Sequence, residues 1–156
     1  ICPKDRRMTA ALLIPLLMQA AEPPVPEWNC DNPLVQQEMN WCAAQDYAAA
    51  DAELNAQWKI TAAIMKERDA GTRENFEPIK PVTPSDDGAA RMRYTGHFQT
   101  LLEAQRAWLA YRDAQCRLEG YAFLGGSAQP MIVSGCLAIL SRQRTQELRD
   151  LAETLG

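Results

Sequence analysis

Four carboxylates, Glu38, Asp46, Asp51 and Glu53, crowd into one short stretch of the chain, and paired carboxylates are the working groups of a glycoside hydrolase. That chemistry needs the two groups on opposite sides of a substrate cleft, whereas acids spaced along one helix make a solvated face. His97 is the single histidine. Its neighbours Gly96 and Phe98 supply neither a nucleophile nor a second base, so a surface or partly packed imidazole is expected. Gly125-Gly126-Ser127 has the small residues of a phosphate loop, but no strand precedes it and no lysine follows, so it reads as a turn. No Gly-x-Ser-x-Gly elbow, dinucleotide fingerprint or histidine-rich metal box occurs. The residue types point away from an enzyme and require no cofactor.

The cysteines carry a clearer message. Cys30, Cys42, Cys116 and Cys136 stand 12, 74 and 20 residues apart, with no Cys-x-x-Cys knuckle and no adjacent histidine, which disfavours zinc and redox motifs. The fifth, Cys2, lies in a stretch that reads as an address: Lys4, Arg6 and Arg7, an apolar run from Ala10 to Met18, then Gln19-Ala20-Ala21. Residues 1–21 are therefore expected to be a cleavable signal peptide. Their apolar run is well short of the roughly 20 residues that span a bilayer, and no other stretch is long enough. An exported chain with four remaining cysteines should form two disulfides. Of the three connectivities, Cys30–Cys42 with Cys116–Cys136 is preferred. Each bridge would fasten a non-helical segment to a helix end and close a loop worth about 3 kcal/mol. No Leu-x-x-Cys lipobox precedes Cys30, so lipidation is not expected there. Without residues 1–21 the chain keeps 13 basic and 19 acidic side chains, a net charge of −6. Such a chain suits neither nucleic acid nor an anionic membrane, and a basic protein suits it better.

Helices must position these groups. After a Pro-rich linker over 22–29, Asn32 can cap a helix with Pro33 at its first position. Met39, Ala43, Tyr47, Ala50, Leu54, Trp58, Thr61 and Met65 follow at steps of three and four, and the helix should end near Gly71. Residues 71–88, with their prolines and glycines, read as a long loop. Ser85, Asp86 and Asp87 can start a second helix, there or after Gly88, running to about Leu118. One face of it carries Phe98, Leu101, Gln105, Trp108, Arg112 and Cys116. A carboxamide and a guanidinium on such a face need partners away from bulk water. Asp51 and Asn55, at the edge of the first stripe, are the natural mates, and with Asp113 they should form a structural polar network. A second break spans 119–130, and a last helix runs from about Met131 to Leu155 through Val133, Leu137, Leu140, Arg144, Leu148 and Leu151. No useful period-two stretch appears. The expected fold is all-α, one domain over 30–156: a disulfide-clipped bundle of two long helices and a third, shorter C-terminal helix.

Several motifs carry a resemblance. They are Gln37 to Ala43, Ala50 to Asn55, the run Ala104-Gln105-Arg106-Ala107-Trp108-Leu109-Ala110-Tyr111-Arg112-Asp113-Ala114-Gln115-Cys116, Gly125-Gly126-Ser127, Cys136-Leu137 and Arg144 to Leu148. In order, from Cys30 to about Leu151, they resemble the LprI-type lysozyme-inhibitor family of small exported bacterial proteins. The resemblance implies a helical periplasmic or secreted protein whose partner is a c-type lysozyme. An inhibitor must cover the sugar cleft, for which two loops are available, with Phe76, Glu77, Asp86 and Asp87 in one and Tyr121 and Ser127 in the other. The alternative is a non-enzymatic envelope adaptor that binds another protein or peptidoglycan, with Trp28, Trp41 and Trp58 as sugar-stacking groups if exposed.

Overall fold

The computed structural model describes residues 28–75 and 95–155. They form α1 (Gln36–Asn75), α2 (His97–Gly120) and α3 (Gln129–Leu155), with one 3-10 turn at Tyr121–Phe123. No strand occurs among the described residues, and the chain is the all-α bundle its periodicity implies. With 24 residues, α2 is shorter than α3 with 27 and α1 with 40.

Long-range hydrogen bonds fix the topology. Asn40 Nδ2 donates to the Ser127 carbonyl at 2.9 Å, Thr61 Oγ1 to the Leu148 carbonyl at 2.9 Å, and Arg68 Nε to the Leu155 carbonyl. Each pair is 87 residues apart, so α1 and α3 run parallel in a single register. Asp51 meets Arg112 whereas Asp69, farther along α1, meets His97, so α2 runs antiparallel.

Small side chains let α1 and α3 approach: Ala50, Thr61, Ala138 and Ser141 are buried. Beyond them the core thickens into Leu54, Met65, Leu101 and Leu148, with Trp58, Ile64, Phe98, Trp108, Leu151 and Leu155 packed around it. Each such Leu or Met, fully buried, contributes about 1.5–3 kcal/mol.

Two boundaries of α1 differ from the sequence reading. First, α1 begins at Gln36, not behind Asn32. The Glu38 carboxylate turns back and accepts the backbone N–H groups of Asn29 at 2.9 Å and Leu34 at 2.7 Å. Together with the Cys30–Cys42 bridge this holds residues 29–35 as a strap over the helix start. Second, α1 passes through Gly71 to Asn75. One helical glycine costs only about 1 kcal/mol, which a long helix absorbs. The described part of the second helix, α2, begins at His97 after the non-helical Thr95 and Gly96; the expected start at Ser85 to Asp87 or after Gly88 lies outside the described residues.

The α2 start has a cap that no local pattern reveals. Gly96, at φ 103, provides no side chain, and a carboxylate from another helix takes its place. Asp69 of α1 accepts the His97 N–H at 2.7 Å and the Phe98 N–H at 3.0 Å, and its Oδ1 lies 3.0 Å from His97 Nδ1. A carboxylate there also complements the positive end of the helix dipole. Asp69→Ala should therefore lower stability by about 1–2 kcal/mol, read as a lower urea midpoint. An unchanged midpoint would show that the cap contributes nothing.

Candidate functional site

The residues singled out by the sequence fall into two places, a polar junction within the bundle and the disulfide-bridged end. At the junction, periodicity turns Gln105 and Arg112 of α2 inward, and both are buried. Arg112 reaches all three helices. Its Nη1 donates to Asp51 Oδ1 of α1 at 3.3 Å and to Ser141 Oγ of α3 at 3.4 Å, and its Nε donates to Asp113 Oδ1 of α2 at 2.9 Å. The aromatic rings of Trp108 and Tyr47 flank its guanidinium, 5.3 and 5.7 Å away.

Gln105 has a different partner from the one expected. Asn55 bonds Asp51 at 2.8 Å on its own helix and does not meet Gln105. Instead Arg144 of α3 donates from Nε to Gln105 Oε1 at 3.0 Å and from Nη1 to Glu147 at 2.7 Å. The Arg144 guanidinium also lies 5.9 Å from the Trp108 ring, which therefore meets two cations. Asn55 is exposed and turned to Asp51. Arg144, inward on the α3 stripe, reaches the carboxamide. Arg144, Ser141 and Thr61 are the members that sequence reasoning missed. The signal was present, since Arg144 and Thr61 stand inside otherwise apolar stripes. Among the described residues no buried side-chain polar atom lacks a partner.

Burial raises the Tyr47 hydroxyl above its ordinary pKa, and the nearby Arg112 charge pulls the other way. The phenol thus stays protonated in the folded protein at a pH where it would ionise in the unfolded chain.

At the other place, Cys30–Cys42 ties the strap to α1, and Cys116–Cys136 ties the last turn of α2 to the first turns of α3. The preferred pairing is the one formed. α2 ends on Gly120, where a Cβ would lie 2.6 Å from Val133 Cγ2, so any larger residue would have to push Val133 of α3 away. The chain then turns through Gly125, at φ 74, and Gly126 N–H bonds the Phe123 carbonyl at 2.8 Å. Tyr121 is 51% exposed on this turn, and the Ser127 carbonyl is the acceptor that joins it to α1. Of the other candidate contact residues, Phe76, Glu77, Asp86 and Asp87 lie outside the described residues.

Among the described residues no three His, Cys, Asp or Glu side chains gather as metal ligands, and no helix is long and apolar enough to cross a membrane.

This architecture defines a class, an all-helical bundle with two disulfides at one end and its inward polar groups spent on holding three helices together. Residues 30–148 match the family described as Lysozyme inhibitor LprI, and the chain belongs to that family. It is also 43% identical over 129 residues to the uncharacterized protein R02472 of Rhizobium meliloti (strain 1021), covering 83% of this chain and 82% of that one. No solved structure matches. The geometry gives the run from Ala104 to Cys116 a physical meaning. Gln105 receives Arg144, Trp108 packs beneath two guanidiniums, Arg112 joins the helices and Cys116 forms a bridge.

Removing Arg112 strands Ser141 and leaves Asp51 without its cation. Arg112→Ala should cost about 2–3 kcal/mol, measured by thermal or urea unfolding, and Arg112→Lys should recover only part because it lacks the fork. Tyr47 sets an alkaline dependence. Its contribution is present below about pH 10, where both states are protonated, and is lost as pH rises through the higher folded value. Tyr47→Phe should flatten that loss in melting temperature; an identical alkaline slope would contradict it.

Proposed function

We propose that this protein is an exported, non-catalytic inhibitor of a basic c-type lysozyme, working in the periplasm or outside the cell. The observation that carries this reading is membership of the lysozyme-inhibitor family across the bundle, residues 30–148. Two further features support it. The disulfides suit an oxidising compartment. The excess of acidic side chains, with Lys+Arg 16 against Asp+Glu 20, would steer the protein to a basic partner at low salt.

Inhibition needs a part that covers the sugar cleft of the enzyme. The α2–α3 connection, residues 121–128 within the expected break 119–130, takes that task, because it is short, fastened at both ends and presents Tyr121 to solvent. For the alternative of an adaptor that binds another protein or peptidoglycan, the sugar-stacking groups would be tryptophans, but Trp28 and Trp41 pack edge to face at 5.7 Å and Trp58 lies against the core.

The test is a turbidity assay of c-type lysozyme on cell walls with the oxidised protein titrated in. Saturable inhibition at a fixed stoichiometry is expected. Replacing Tyr121 to Ser127 by a Gly-Ser linker, with both disulfides intact, should reduce inhibition at least tenfold, as expected when an anchoring contact is lost. A folded protein that leaves lysis unchanged at low and moderate salt would overturn the proposal.

A further inference from the structure

Six of the large apolar side chains exposed among the described residues gather at one end of the bundle: Leu34, Val35, Leu118, Tyr121, Phe123 and Leu124. Leu34 and Leu124 are the most exposed, at 76% and 73%. They come from two parts of the chain distant in sequence, the strap before α1 and the last turn of α2 with the connection that follows it. The register joins them. Asn40 near the start of α1 bonds the Ser127 carbonyl, which brings the start of α1 beside the end of the connection. Gln36 Nε2 also contacts Met131 Sδ at 3.8 Å across the same end. Both segments are held before any partner arrives: the strap by Cys30–Cys42 and Glu38, the connection by Cys116–Cys136 and by Gln129, which accepts the Gly125 N–H at 3.1 Å. Presenting apolar groups on a fixed backbone avoids much of the ordering cost of binding.

Charge separates this end from the rest. No Lys, Arg or His occurs in residues 28–58 or in residues 118–141, while Asp31, Glu38, Asp46, Asp51, Glu53 and Glu119 do. Asp46 and Asp51 are engaged by Arg142 and Arg112. Asp31 stands in the strap and Glu119, which accepts the Gln115 amide, in the last turn of α2, where Arg117 is the basic side chain. An apolar centre with a mostly acidic rim is the complement of an apolar-lined cleft in a basic protein.

We infer that the strap and the α2–α3 connection form one composite docking surface, with Leu34 and Val35 contributing as much as Phe123 and Leu124, and that its occupant is the basic lysozyme. This rests on the inhibitor reading and extends it, because the loop alone would be half of the contact. The strap then has a binding role besides covering the start of α1.

The test compares binding of a purified basic c-type lysozyme to the oxidised wild type and to Leu34→Ser, Leu124→Ser, the double variant, and Ile60→Ser and Ile139→Ser as controls from exposed positions elsewhere. Far-UV circular dichroism and melting establish that each is folded. Each single apex variant should weaken binding about tenfold and the double about a hundredfold, with the controls within about twofold. Wild-type binding that Leu34→Ser leaves unchanged would overturn the composite surface while the inhibitor reading stands. A folded wild type that does not bind lysozyme would overturn both. Sedimentation that shows wild-type self-association, abolished by the apex substitutions, would make a second copy the occupant and also overturn the inference.

Discussion

The guanidinium of Arg112 is the point on which the bundle closes. A buried cation is costly unless paired, so the fold is stable only when carboxylates from α1 and α2 and a hydroxyl from α3 reach it together. A slip of any helix by one residue would rotate one of these groups away by about 100° and leave the charge stranded. The apolar stripes would turn by the same angle, so burial and the Arg112 contacts favour one register together. Arg112 adds a polar constraint on register to the stability that hydrophobic burial supplies. Arg144 with Gln105 and Thr61 with the Leu148 carbonyl repeat the arrangement farther along the bundle.

Register at the junction has its consequence at the far end. With α1 and α3 parallel and α2 antiparallel, the start of α1, the end of α2 and the start of α3 come together, and both disulfides lie there. The opposite end is held by softer means, the Asp69 cap and the bond from Arg68 to the Leu155 carbonyl. Covalent bonds are concentrated where the chain leaves helical geometry and exposes apolar side chains. Such segments would otherwise sample many conformations, and constraining them also lowers the entropy of the unfolded chain. The division of labour is physical: the polar junction positions the helices, and the bridges preserve the shape of the end they present.

The helices and the disulfides were legible in the sequence because their signals are local or arithmetical. Steps of three and four named the buried faces of α1, α2 and α3, and an even set of cysteines flanking helix ends favoured the pairing that forms. Arg112 with Asp51 and Asp113 was legible for a related reason: a charge on an apolar face must have a partner, and few candidates stood level with it. Gln105 shows the limit. Its partner, Arg144, lies on a helix whose rotation about its own axis depends on packing that the sequence does not state. The start of α2 shows the same limit, since its cap is supplied by Asp69 from another helix. The strap was hidden because Asn32-Pro33 is a sound helix start locally, and only Glu38 turning back onto Asn29 and Leu34 overrides it.

Hydrogen exchange of the oxidised protein, alone and with a basic c-type lysozyme at saturating concentration, tests the connection between this architecture and its function most directly. The predicted result is added protection confined to the backbone amides of residues 28–40 and 118–128, with the Asp69 and Leu155 end unchanged. Added protection at the Asp69 and Leu155 end, or none anywhere despite a folded protein, would contradict it.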